Sequence, residues 1–104
     1  MALTLGFVSD VELRRHHQKH MSEFGPITPD EYLARADSFL GSPLAAGVHE
    51  CTRSNGQVLR YNPVTNEFGI LTPERRILTY YKPNPWNRTK YPTNLDYFME
   101  QCKK

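Results

Sequence analysis

Long apolar runs are missing from this chain: nowhere does it approach the ~18–20 apolar residues that a membrane helix needs. Cysteine is scarce, with only Cys51 and Cys102 among 104 residues. They stand alone, without CxxC spacing, so neither a zinc knuckle nor a disulfide-dense scaffold is expected. One bridge and two free thiols both stay open. The opening residues 1–8 carry no basic segment and no Ala-x-Ala site, so they do not read as a signal peptide. There is no internal repeat and no low-complexity tract. With 38% hydrophobic and 12% aromatic residues, the chain is too apolar for intrinsic disorder. Its length suits one domain that buries about 60–70% of its surface on folding.

Acidic side chains are absent over one informative stretch. Between Arg75 and Lys90 lie five cations (Arg75, Arg76, Lys82, Arg88 and Lys90) and no acid. The net charge of +2 hides this asymmetry: residues 1–50 hold four basic and seven acidic side chains, and residues 51–104 hold nine and four. A basic half suggests a phosphate-bearing partner, although a solvated loop carries such charge as well.

Helix signals fill the first forty residues. Ser9 or Asp10 can cap a helix over 11–23, and Leu13, His17, Met21 and Phe24 recur at helical steps as one apolar stripe. Phe24-Gly25-Pro26 ends it. Thr28-Pro29-Asp30-Glu31 then opens a second helix with a capping box. Its buried stripe is Tyr32, Leu33, Ala36, Phe39 and Leu40, and Gly41 stops it. After Gly47 the period becomes two. Segments 48–53, 57–61, 67–71 and 77–81 read as strands parted by turns such as Ser54-Asn55-Gly56. Connections this short require an antiparallel meander. After a proline-rich loop around Trp86, Thr93 or Asn94 caps a last helix over 95–101. The pattern predicts an α+β domain: two N-terminal helices packed on a four-stranded antiparallel sheet, with a short C-terminal helix and all helices against one face. Residues 1–8 read as a linker, and Met1-Ala2 as an added start.

The chemistry-bearing residues fall into two groups. With Leu13 at zero on a helical wheel, His17 lies at about 40°, inside the stripe, and reads as a packed core residue. His20 lies at about −20°, on the stripe's edge in the last turn, where an imidazole can serve as general acid or base. His16 and His20 have the i,i+4 spacing of metal ligands, but no third ligand follows at helical spacing. On the last strand, alternation puts Thr79 and Tyr81 on one face and Leu78 and Tyr80 on the core face. A hydroxyl and a phenol just before Lys82 suit a phosphate whose oxygens gain charge. Arg53 and Arg60 are further candidates for holding that oxyanion.

These residues occur in ordered motifs: Lys19-His20-x-x-x-Phe24-Gly25, Thr28-Pro29-Asp30-Glu31-Tyr32-Leu33, Arg60-Tyr61-Asn62-Pro63, Asn66-Glu67-Phe68-Gly69 and Leu78-Thr79-Tyr80-Tyr81-Lys82-Pro83. Over roughly residues 14–101 the series resembles the C-terminal toxin domains of bacterial polymorphic toxins, including contact-dependent growth-inhibition effectors. In particular it resembles the colicin D-like tRNA nucleases of the barnase/RelE-like ribonuclease fold. The ending Thr93-Asn94-Leu95-Asp96-Tyr97-Phe98 is similar to the close of such toxins.

The resemblance implies a ribonuclease that cleaves tRNA without a metal or other cofactor, by attack of a ribose 2′-hydroxyl on the adjacent phosphate. His20 would be the general base or acid, with Thr79 and Tyr81 completing the catalytic set. Tyr81 stands where colicin D has Trp. Lys19 and Lys82 match phosphate-engaging cations, and Lys19 projects away from His20 on an ideal helix, toward the RNA backbone. The implied partners are tRNA and a cognate immunity protein, acidic enough to cover a basic cleft, with no membrane and a monomeric domain. Such a domain is delivered from a larger secreted toxin and acts in the cytoplasm of a target bacterium. Two other readings fit the same residues. One is a non-catalytic RNA-binding module stacking bases on Tyr80, Tyr81 and Trp86; the other is a RelE-like nuclease that cuts mRNA only on ribosomes.

Overall fold

The computed structural model describes residues 3–104; Met1-Ala2, read above as an added start, lie outside the described residues. The fold is α+β. Helices α1 (Asp10–Phe24) and α2 (Pro29–Gly41) precede strands β1 (His49–Thr52), β2 (Val58–Asn62), β3 (Glu67–Leu71) and β4 (Ile77–Tyr81), and α3 (Asn94–Cys102) closes the chain. The sheet is an antiparallel meander in the order β1-β2-β3-β4. Among the described residues no helix is long and apolar enough to cross a membrane.

The caps follow the sequence. Ser9 accepts the Glu12 amide at the head of α1, and both Thr28 and Thr93 complete capping boxes, with Glu31 and Asp96. These side chains satisfy amides that have no partner within the helix. Gly25, at φ 83° and ψ −178°, takes an extended positive-φ conformation open to glycine, which ends α1 and turns the chain toward α2.

The sheet is covered on both sides, which corrects the expectation of helices on one face only. On one side Leu71, Ile77 and Tyr80 pack with Phe24 of α1 and Tyr32, Ala36 and Leu40 of α2. On the other, Leu59, Tyr61, Phe68 and Ile70 pack with Phe98 of α3. Registers Phe68↔Tyr81 and Gly69↔Tyr80 separate these two sets by strand alternation. Cys51 of β1 and Cys102 of α3 form a disulfide that ties the last helix to the second face.

An irregularity in β4 decides which residue faces where. Thr79 pairs with Ile70, but Ile77 pairs with Leu71, so Leu78 is an extra residue in the ladder. Strict alternation would put Leu78 beside Tyr80. Instead Ile77 and Tyr80 share the α1/α2 core, both fully buried, while Leu78 flanks the α3 cluster. Thr79 and Tyr81 remain together on the second face.

Residues 3–8, expected to be a linker, are folded onto the domain. Phe7 is 5% exposed and forms a parallel bridge with Ile77, covering part of the β4 edge. Asp37 clamps this segment by accepting the Leu3 and Thr4 amides, each at 2.7 Å. Burial pushes the Asp37 carboxyl up, but the hydrogen bonds from Thr4 and Leu3 outweigh it and hold the group below its usual range. One aromatic side chain in eight residues makes a weak periodic signal, although it is enough to fill a core vacancy.

Candidate active site

The site grows from the inner face of α1, which is rotated from the expected stripe. Met21 is 39% exposed, whereas His20 is 9% exposed and buried. His20 therefore lies inside the helix–sheet contact, not at its rim. Packing selects this rotation because His16, His20 and Phe24 can line up against the aromatic rings beside β4. His17 is half-buried and hydrogen-bonded rather than in the core: its Nε2 lies 2.6 Å from the Ile27 carbonyl oxygen, and its ring meets Tyr32 edge-on.

Glu23 orients His20. One carboxylate oxygen lies 2.7 Å from His20 Nδ1, and the other accepts the backbone amide of Lys82 at 2.7 Å. A single side chain thus fastens the last turn of α1 to the end of β4 and holds the imidazole from one side. Because an ionised carboxylate only accepts, Nδ1 carries the hydrogen of this pair, which leaves Nε2 as an acceptor in the neutral ring. His20 stacks on Tyr81 with centroids 5.0 Å apart and planes 17° from parallel. His16 also stacks on His20 at 6.0 Å, and its ring lies tilted against Phe7 at 5.5 Å. The two histidines therefore meet through their ring faces. Among the described residues no three His, Cys, Asp or Glu side chains gather as a metal site.

Tyr81 joins the two layers. Its hydroxyl lies 2.6 Å from that of Tyr97 on α3, and Phe68 meets its ring edge-on. Burial pushes the Tyr81 phenol well above its ordinary value, and its bond to Tyr97 adds to the shift. Tyr81 consequently stays protonated and can donate. Thr79, half-buried and two residues earlier, shares its strand face. An oriented imidazole thus stacks on a neutral phenol where α1 meets β4, and a hydroxyl stands two residues along the same strand face. Together they can accept a proton, donate one, and hydrogen-bond an oxyanion.

The expected cations do not gather there. Lys19 is exposed on the outer side of α1. Lys82 points to the sheet face opposite Tyr81, with its ammonium 5.1 Å from the centre of the Phe24 ring. Arg60 pairs with Glu50 at 2.6 Å and donates to the Phe39 and Ser42 carbonyls. It closes the C-terminal end of α2, because a guanidinium fork can satisfy carbonyls that a helix end leaves free. Arg53 donates to the Gln101 carbonyl and to Gln57, both at 2.9 Å, and so fastens the β1–β2 turn to α3. Both arginines thus serve the architecture, correcting their reading as oxyanion ligands. Tyr80, offered as a base-stacking platform, is fully buried, and its hydroxyl donates to Glu67.

Glu23 and Tyr97 escaped the sequence reading. Glu23 was within reach, since a carboxylate three residues after His20 shares its helix face, which corrects the reading that no further ligand type follows the histidines at helical spacing. Tyr97 gave no comparable signal, because its contact exists only once α3 docks on the second face. No protein-family model matches this chain, and no curated protein does either.

Proposed function

We propose that this domain is an endoribonuclease that cleaves tRNA without a metal, by attack of a ribose 2′-hydroxyl on the adjacent phosphate. The observation that carries the reading is the orientation of His20: Glu23 holds Nδ1 while the ring lies against Tyr81, two residues from Thr79. In this scheme Nε2 of His20 takes the proton of the attacking 2′-hydroxyl. The 2′-oxygen forms a bond to phosphorus as the bond to the 5′-oxygen breaks, which yields a cyclic phosphate. The Tyr81 phenol, kept protonated by burial, donates toward the leaving oxygen, and the Thr79 hydroxyl bonds a non-bridging oxygen.

The biological setting we infer is bacterial competition. A larger secreted toxin would deliver the domain as a monomer to the cytoplasm of a target bacterium, and an acidic immunity protein would neutralise it in the producer. The resemblance of the motif series to colicin D-like toxins supports this setting. The Cys51–Cys102 bridge suits a chain that passes through an oxidising compartment.

Incubating total tRNA with the protein and with its His20→Ala variant tests the reading. The expected result is cleavage by the parent alone, unchanged by EDTA, with 2′,3′-cyclic phosphate ends. Binding without cleavage would support the RNA-binding alternative, for which Trp86, 92% exposed near Arg88 and Lys90, supplies a stacking surface. Cleavage only in the presence of ribosomes would overturn direct action on tRNA.

A further inference from the structure

Across β4 from Tyr81 lies a pocket of about 430 Å³, lined by Phe24 and Phe39 and by the cations Arg35 and Lys82. Neither cation has an ion-pair partner among the described residues. The Lys82 ammonium rests on the Phe24 ring, and its backbone is pinned by Glu23. The carboxylate in the pocket, Glu67, is already engaged: Thr65 and Tyr80 donate their hydroxyls to its two oxygens. Ser38 adds a hydroxyl on the exposed rim. Two unpaired cations against one satisfied carboxylate leave the pocket with a net positive charge. Its volume falls within the ~300–1,000 Å³ of small-ligand sites.

We propose that this pocket binds a nucleotide of the substrate RNA, its phosphate on Arg35 and Lys82 and its base against the half-buried Phe39, since the Phe24 ring is covered by Tyr80 and the Lys82 ammonium. Planar guanidinium and point-like ammonium groups both take phosphate oxygens, and an aromatic wall accepts the face of any base. Glu23 connects the pocket to the catalytic border, since one of its oxygens holds His20 and the other the Lys82 amide. An RNA strand passing the end of β4 would therefore place one nucleotide here while another lies at His20. The proposal rests on the nuclease reading for the source of the nucleotide, but binding in the pocket is measurable without cleavage.

The test titrates the full chain with each of the four nucleoside 5′-monophosphates and with inorganic phosphate, following the Lys82 amide and the Arg35 side chain by NMR. Millimolar binding of at least one nucleotide is expected, tighter than phosphate alone and weakened about tenfold by Arg35→Gln or Lys82→Gln. In tRNA cleavage the same substitutions should raise KM about tenfold and leave kcat nearly unchanged, since the pocket would bind substrate and transition state alike. Nucleotide affinities or a KM that ignore both substitutions would overturn the pocket while leaving the nuclease reading intact. Failure of the parent protein to cut tRNA, with nucleotides still bound at Arg35 and Lys82, would overturn the nuclease reading and the RNA source while upholding the pocket.

Discussion

On one face of the sheet, Leu71, Ile77 and Tyr80 meet two helices of 15 and 13 residues; on the other, Tyr61, Phe68 and Ile70 meet a helix of nine. The first contact is broad and apolar, reinforced by the Tyr32 hydroxyl on the Tyr80 carbonyl and by Arg60 at the end of α2. The second rests on Phe98, the partly buried Leu95 and a covalent tie. A short helix buries too little surface to hold itself in place, so a cross-link does what area does on the other side. Each side has its share in the candidate site. Positioning comes from the well-packed side through Glu23 and His20, and the Tyr81–Tyr97 contact depends on the tethered one.

Breaking the tie gives the largest expected effect on stability. Replacing both Cys51 and Cys102 by Ser frees a closed loop with a sequence separation of 51. Chain entropy then predicts a loss of roughly 4 kcal/mol, a fall of about 15–20 °C in Tm. Hydrogen exchange should show α3 amides losing protection before those of α1 and α2. Equal loss on both faces would show that the faces do not differ as described. Ile77→Ala probes the other side and should cost about 3 kcal/mol through the cavity it leaves, with or without reductant. Its effect would shrink in reduced protein if the disulfide supported that face too.

Two substitutions sharpen the functional half of the comparison. Glu23→Gln should lower kcat for tRNA cleavage about 10²-fold with little change in KM, because the amide can present the wrong partner to Nδ1 of His20. An unchanged kcat would remove Glu23 from the positioning role. Thr79→Val should reduce cleavage about tenfold and leave Tm within about 3 °C, as expected for a half-buried hydroxyl outside the main core. A much larger fall in Tm would make Thr79 a packing residue.

The smallest effect concerns His16, whose Nδ1 is buried with no partner among the described residues. Burial lowers its pKa from 6.5, nearby His20, Arg15 and Lys19 push the same way, and Glu12 opposes them. The folded protein therefore binds this proton less readily than the unfolded chain. Stability contributed by neutral His16 is present above about pH 6.5 and declines as pH falls toward the lowered value. Melting curves between pH 7.5 and about 5 should fall more steeply for the parent than for His16→Phe, which keeps the ring stack between Phe7 and His20. Parallel curves would assign the acid sensitivity elsewhere.

Local chemistry was legible from the residues themselves. Ser9, Thr28 and Thr93 cap helices wherever they fold, Asn55-Gly56 turns the chain whatever surrounds it, and period-two segments pair when short turns join them. These preferences act over three or four residues, so the α+β class and the element order follow from the sequence alone. The site was only partly legible. His20 on α1 lies against Tyr81 of β4, but the arginines were not readable as architecture. A guanidinium's partner is often a carbonyl far along the chain, as Arg60 shows with Phe39 and Ser42.

Tertiary packing decided what spans longer distances. It turned α1 so that His20 lies inward and Met21 outward, inserted Leu78 as an extra residue in β4, and sent α3 to the opposite face with its cysteine on Cys51. It also folded Phe7 onto Ile77 and parted Lys82 from Tyr81. Each outcome depends on how surfaces from distant segments fit together. Periodicity tells which residues can share a face, but only the competition for buried volume among all the elements selects the neighbours that face receives.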